Sequence, residues 1–285
     1  MNKSLRTNLI ILFLVAAIIF LVIIVYADSH SILNAFKNFR WLLLPILLLL
    51  SLGNYFVRFL KWEYYLRLLG IIIPLKQSIK IFFSGLSMSA SPVKMGEILK
   101  SVLLKDIYQE PISKTASIIF AERLTDFLSI TFLTIIGIVF YSYSAVWVYM
   151  VLIYFLLLII LISNRKLVEL LFKIFNKVAF MKKLSNKMIN LYESAYVLLR
   201  PKPLVVMLVV SIFSWFFECF AFYLVLNEFD LSISIIFATF VYALSTIAGA
   251  VSMLPGGLGV TEGSLSIILI NSGVTKEMQL LRQLL

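Results

Sequence analysis

The chain has 285 residues, of which 62% are hydrophobic, and its mean hydropathy is +1.03. That excludes a water-soluble domain, and apolar runs of about 20 residues recur, so the sequence reads as an all-α polytopic membrane protein. A net charge of +11, one histidine and one cysteine leave no Cys/His cluster for zinc and no internal disulfide.

Spanning helices are predicted at 8–26, 41–59, 126–144, 145–163 and 203–226. Lys3 and Arg6 precede the first, so the N-terminus is expected in the cytoplasm and the protein in the cell membrane as a multi-pass chain. No small-residue cleavage site follows the first run, which therefore reads as a helix rather than a removable leader. The segment 60–80, with Pro74 among basic residues, is expected to lie amphipathically at the interface. The 126–163 pair forms a hairpin through Tyr141-Ser142-Tyr143-Ser144. From Asn164 to Lys202 nine basic residues outnumber two acids, a balance of +7. This loop is expected as helices on the inner leaflet, with anionic lipids as its partner and nucleic acid excluded. The helix from 203 exits to Asn227-Glu228-Phe229-Asp230, which carries no positive charge.

Two apolar segments depart from plain spanning helices. The first runs from Phe83 to Glu97 and the second from Ser245 to Glu262. In each, a Ser stands three residues before a Pro and a Gly four residues after it: Ser89, Pro92, Gly96, and then Ser252, Pro255, Gly259. Pro removes an amide donor and Gly loosens the backbone, so both segments should break within the membrane. Such backbone is tolerated only where protein or a water-filled cavity satisfies it, and paired breaks in two halves mark a transporter's binding site. The predicted topology brings the two in from opposite faces, as in an inverted repeat. In all, about 7–8 membrane segments are expected in a single domain, 1–285. One repeat covers 41–163, the basic loop 164–202, and a second repeat 203–285, which would need at least one more helix to match the first.

Charges within apolar sequence are the second signal, since each costs roughly 2.5–3.5 kcal/mol at a helix centre on insertion scales. Glu122, Arg123 and Asp126 open the predicted third helix, with two acids flanking one arginine. They form either an ion cluster at a helix start or the wall of a polar cavity. Glu218 has no basic residue within a turn and must be protonated or face another helix. Glu97, three residues from Lys94, and Glu262 end the two broken segments. They either compensate helix dipoles or serve sites where exposed amides bind an anion such as phosphate. Gly256, Gly257 and Gly259 permit close backbone approach there, although no Lys-Ser/Thr follows to make a P-loop. No nucleophile–base pair and no acid-rich metal box occurs, so neither enzyme chemistry, a cofactor nor a metal is expected.

Several stretches together carry a resemblance. They are Arg58-Phe59-Leu60-Lys61-Trp62, Ser89-x-x-Pro92-x-x-x-Gly96-Glu97, Glu122-Arg123-x-x-Asp126, Leu254-Pro255-Gly256-Gly257-Leu258-Gly259-Val260-x-Glu262 and Leu280-Leu281-Arg282. Over nearly the whole chain they resemble the flippase-like membrane domain of lysylphosphatidylglycerol synthases. The resemblance implies a flippase-like transporter of an anionic or aminoacylated, lysylphosphatidylglycerol-type lipid, without the soluble aminoacyl-transferase domain of the multi-domain members. Arg58, Lys94, Arg123 and Arg282 would then supply positive charge to the polar path. Glu97, Glu122, Asp126, Glu218 and Glu262 would bind cationic headgroup atoms, carry protons or hold those arginines. Two other readings remain open: a membrane component of phosphatidylglycerol lysyltransferase-type lipid modification, and a non-transporting scaffold for an envelope glycosyltransferase. A homo-oligomer or an envelope-lipid enzyme is the protein partner each would imply.

Overall fold

The computed structural model describes residues 37, 39–87, 97–141, 146–165, 168, 179–229, 233–252 and 254–272. These form nine α-helices and no strands among the described residues. They are α1 (Leu44–Leu68), α2 (Leu75–Ser87), α3 (Ile98–Tyr108), α4 (Ile112–Tyr141), α5 (Val146–Ser163), α6 (Ala179–Leu198), α7 (Pro201–Glu228), α8 (Ile235–Val251) and α9 (Val260–Asn271). Helix α4, helix α7 and helix α1 with the 3-10 turn before it are long and apolar enough to cross a membrane. Shorter apolar helices cover 148–163, 235–251 and 260–271. The expected spans at 145–163 and 203–226 are thus found within two residues of their ends. The span expected at 8–26 lies outside the described residues.

Helix α4 is the axis of the molecule. Of its most apolar stretch 61% is buried inside the protein, against 11% for α1, and it packs on α6, α7 and α8. Its sequence explains this position. Thr115, Ser117, Thr125, Ser129, Thr131 and Thr134 are buried along it. The hydroxyls of Thr125, Ser129 and Thr134 donate to carbonyls one turn earlier, so small polar side chains are satisfied within the helix. Small residues allow close helix approach in lipid, and Gly137 is a case: a Cβ there would strike the Phe240 ring of α8. Helix α5, by contrast, is a run of large apolar residues with exposed Ile153, Tyr154, Leu157 and Ile160, as suits a lipid-facing face.

At three places the structure refines the sequence expectations. The helix expected from 126 begins at Ile112, so Glu122, Arg123 and Asp126 lie about three turns inside it and not at its dipole end. The segment 60–80 is not one element but is divided between α1 and α2. Helix α1 continues to Leu68, with Lys61, Trp62, Tyr65 and Leu66 buried on one side. It then ends at Gly70 in the left-handed region, where Gly70 N–H donates to Arg67 and Ile71 N–H to Leu66 in a Schellman turn. Within the 164–202 loop, α6 is a helix, but it packs against α4 as well as against α5. Tyr192, Ala195 and Leu198 are buried, the Tyr192 hydroxyl donates to the Ile162 carbonyl, and Arg165 pairs with Glu193 at 2.8 Å.

An order of elements recurs. A long helix, a shorter one and then a short one appear as α1, α2, α3, and again as α7, α8, α9; the second series is interrupted over 252–259. The two long helices pack on each other, and Asn54 of α1 donates to the Ser214 carbonyl of α7 at 2.8 Å.

Candidate functional site

A cavity between α1, α2, α3 and α4 is lined by Arg58, Lys61, Phe82, Leu86, Glu97, Lys100, Glu122, Arg123 and Asp126. Four cations face three carboxylates there. Helical spacing places Arg58 and Lys61 on one face of α1, and Glu122 and Asp126 on one face of α4. Both helices therefore present a charged strip to the same space.

Asp126 is the hub. Its carboxylate accepts from Lys61 Nζ at 2.7 Å and from Arg58 at 3.1 Å, and lies 3.8 Å from Arg123. Lys61 also donates to the Glu122 carbonyl at 3.1 Å and to Ser211 Oγ of α7 at 2.7 Å, so one ammonium ties three helices. Lys100 Nζ meets Glu122 Oε2 at 2.6 Å, and Arg123 pairs with Glu97 at the start of α3. Buried charges on this scale persist because each finds a partner. Exposure is uneven. The lysine side chains are 3% and 4% exposed, whereas those of Arg58 and Arg123 are 17% and 25% exposed, so the two arginines are the more accessible cations of the cavity.

Of the residues expected from sequence, the structure joins Arg58, Glu97, Glu122, Arg123 and Asp126. Ser89, Pro92, Lys94, Gly96 and Arg282 lie outside the described residues. Glu97, expected to pair with Lys94, has Arg123 as a partner, because α4 runs past the start of α3. Glu218 faces the Tyr242 hydroxyl at 3.5 Å on α8, on the side of α7 where Arg58 lies over Trp215 at 5.1 Å. Sequence reading passed over two residues. Lys61 stands one turn after Arg58, in the stretch that carries the resemblance, but sequence alone gives it no partner. Lys100 lies in the apolar run after Glu97, where its cost in lipid was the available signal.

The second segment is interrupted as expected. Helix α8 ends at Val251, a 3-10 turn covers Pro255–Gly257, and Gly256, Gly257 and Gly259 have φ of 64°, 71° and 81°. Only glycine adopts this region at low cost, which is why the run is glycine-rich. Two of the amides expected to face an anion are already engaged. Gly257 N–H donates to the Leu254 carbonyl at 3.0 Å, and Gly259 N–H to Glu262 Oε2 at 2.7 Å. Glu262 thus caps the first turn of α9. Pro255, the three glycines and Glu262 are not among the residues lining the charged cavity.

Buried ion pairs between membrane-length helices define a polytopic membrane protein with a polar intramembrane site. The family model for the lysylphosphatidylglycerol synthase TM region matches residues 10–281, and the chain belongs to that family. Two archaeal relatives are UPF0104 membrane proteins. One, from Methanocaldococcus jannaschii, is 28% identical over 192 residues, covering 64% of this chain and 77% of the relative. The other, from Methanothermobacter thermautotrophicus, is 23% identical over 287 residues, covering 92% of this chain and 83% of the relative.

Proposed function

We propose that this protein is a flippase-like transporter that moves a polar-headed anionic lipid across the cell membrane, with its N-terminus in the cytoplasm. The observation that carries the reading is the cavity's charge balance: four cations against three carboxylates, with two arginines at its accessible edge. A phosphate-bearing headgroup would complete that balance, since guanidinium groups bind phosphate in a bidentate fashion. The acyl chains would stay in lipid along the exposed apolar faces of α1 and α2, where Phe56, Leu60, Ile79 and Phe83 are exposed. Family membership supports the membrane setting and is compatible with lipid movement. Glu97 would hold Arg123 in place until the headgroup takes over one of its contacts. Glu218, with Tyr242, would extend the polar path toward α7 and α8.

The test is translocation of a fluorescent phosphatidylglycerol analogue in proteoliposomes, read by chemical quenching of the outer leaflet. The wild-type chain should make the inner-leaflet pool accessible. Arg123→Ala and Glu97→Gln should fold, as judged by size-exclusion profile, and lower the rate by at least about tenfold, the order of one lost charge-assisted contact. Wild-type rates in both variants would refute the site.

A further inference from the structure

The Lys100 ammonium occupies a receptor of a particular kind. Nζ lies 2.6 Å from Glu122 Oε2, 4.6 Å from the Trp62 ring centroid and 5.6 Å from that of Phe82. A carboxylate beside two aromatic faces is the arrangement by which proteins recognise ammonium groups. Here the chain fills it with its own. The arrangement is built in at the backbone. Trp62 is fully buried and donates Nε1–H to Ser78 Oγ at 3.1 Å, which sets its ring. Gly85 leaves room for the lysine stem, because a Cβ at that position would run into the Lys100 side chain.

The other carboxylates of the cavity are engaged as well. Asp126 is held by Lys61 and Arg58, and Glu97 pairs with Arg123. An incoming ammonium therefore meets no vacant counter-charge and would have to displace Lys100. An incoming phosphate meets the two partly exposed arginine side chains. We infer that Lys100 is a specificity-determining residue: by occupying the aromatic–carboxylate ammonium receptor of the cavity, it restricts the headgroup to phosphate-bearing anions that lack an ammonium. This rests on the reading of the cavity as a headgroup site, and it narrows that reading to lipids of the phosphatidylglycerol kind against aminoacylated or ethanolamine lipids.

The experiment uses the full chain reconstituted into nanodiscs of equal parts phosphatidylglycerol and lysylphosphatidylglycerol. The lipid retained after extraction is quantified by mass spectrometry. The wild-type protein should retain phosphatidylglycerol in excess. Lys100→Met vacates the receptor and leaves Glu122 as counter-charge, so the retained ratio should move toward lysylphosphatidylglycerol by about tenfold, the order of one charge-assisted contact. An unchanged ratio, or a wild-type preference for lysylphosphatidylglycerol, overturns the assignment. If Lys100→Met does not fold, the Lys100→Met/Glu122→Gln pair removes the stranded carboxylate. It should lose the wild-type preference without gaining the aminoacylated lipid, and a wild-type ratio in it overturns the assignment equally. Displacement of retained phosphatidylglycerol by inorganic phosphate would make the site one for a soluble anion and overturn the lipid assignment. Retention is separate from movement. A chain with the expected ratios that does not translocate lipid would sink the transport reading and leave the selectivity standing.

Discussion

The α2–α3 and α8–α9 pairs use one packing device to different ends. In α2 a glycine stands two residues before the helix end, at Gly85, and the side chain that fills its space is Lys100, near the start of α3. In α8 a glycine stands at the same place, Gly249, and Thr261 near the start of α9 fills its space. The lysine carries a charge from that contact into the cavity. The threonine closes the contact on itself, donating to the Gly257 carbonyl at 3.0 Å. The same kind of contact, a glycine near a helix end filled from the next helix, thus supports a charged site in one place and a tight glycine turn in the other. The residue opposite the glycine decides which.

Breaking the charged half should have the largest effect. Asp126→Ala strips Lys61 of its acid, Arg58 of its short ion pair and Arg123 of a neighbour. Removing one partner of a buried ion network costs about 3–5 kcal/mol, so a large drop in the thermal unfolding midpoint of the detergent-solubilised protein is expected. The glycine pairs come next. Gly85→Ala and Gly249→Ala should each cost about 1–3 kcal/mol by overpacking. The loss should be largely recovered in Gly249→Ala/Thr261→Ala; Lys100→Ala carries its own cost by stranding Glu122, but in that background Gly85→Ala should add little, because the opposing atoms are gone. Thermal unfolding of both double-mutant cycles measures the coupling, and additive losses would mean that the two contacts are not equivalent devices. Gly257→Ala should cost about 1–2 kcal/mol from its left-handed backbone alone. The smallest effect is expected at Glu262. Its carboxylate caps a helix, and Gln keeps an acceptor oxygen for Gly259 N–H, so Glu262→Gln should cost about 0.3–1 kcal/mol and leave lipid translocation near the wild-type rate. A translocation defect equal to that of Glu97→Gln would instead place the second interruption at the transport site.

Much of the fold was legible because lipid imposes simple rules. Length and hydropathy located α5 and α7 almost to the residue, and Pro255 with its glycines marked the interruption after α8. The errors have a common origin. Glu122, Arg123 and Asp126 read as the opening of a span, which sets the start of α4 too late. Pro74 among basic residues reads as an interfacial segment from residue 60, which sets the end of α1 too early. A window of hydropathy counts a charge as a cost, and it has no term for a partner on another helix. Lys61 removes its own cost by bonding Asp126 and Ser211, which lie 65 and 150 residues away.

The sequence by itself determined that the chain lives in a membrane, that its backbone is helical, where a helix must break, and which family it belongs to. These follow from local chemistry: apolar length, missing amide donors, and glycine's access to positive φ. The tertiary structure decided which charges are partners, that Lys100 reaches Glu122, that Glu97 pairs with Arg123, and that Glu262 caps a turn. Ion pairing depends on distances between helices, and those are set by which small residues let helices approach, a property of the packed molecule and not of any stretch of chain.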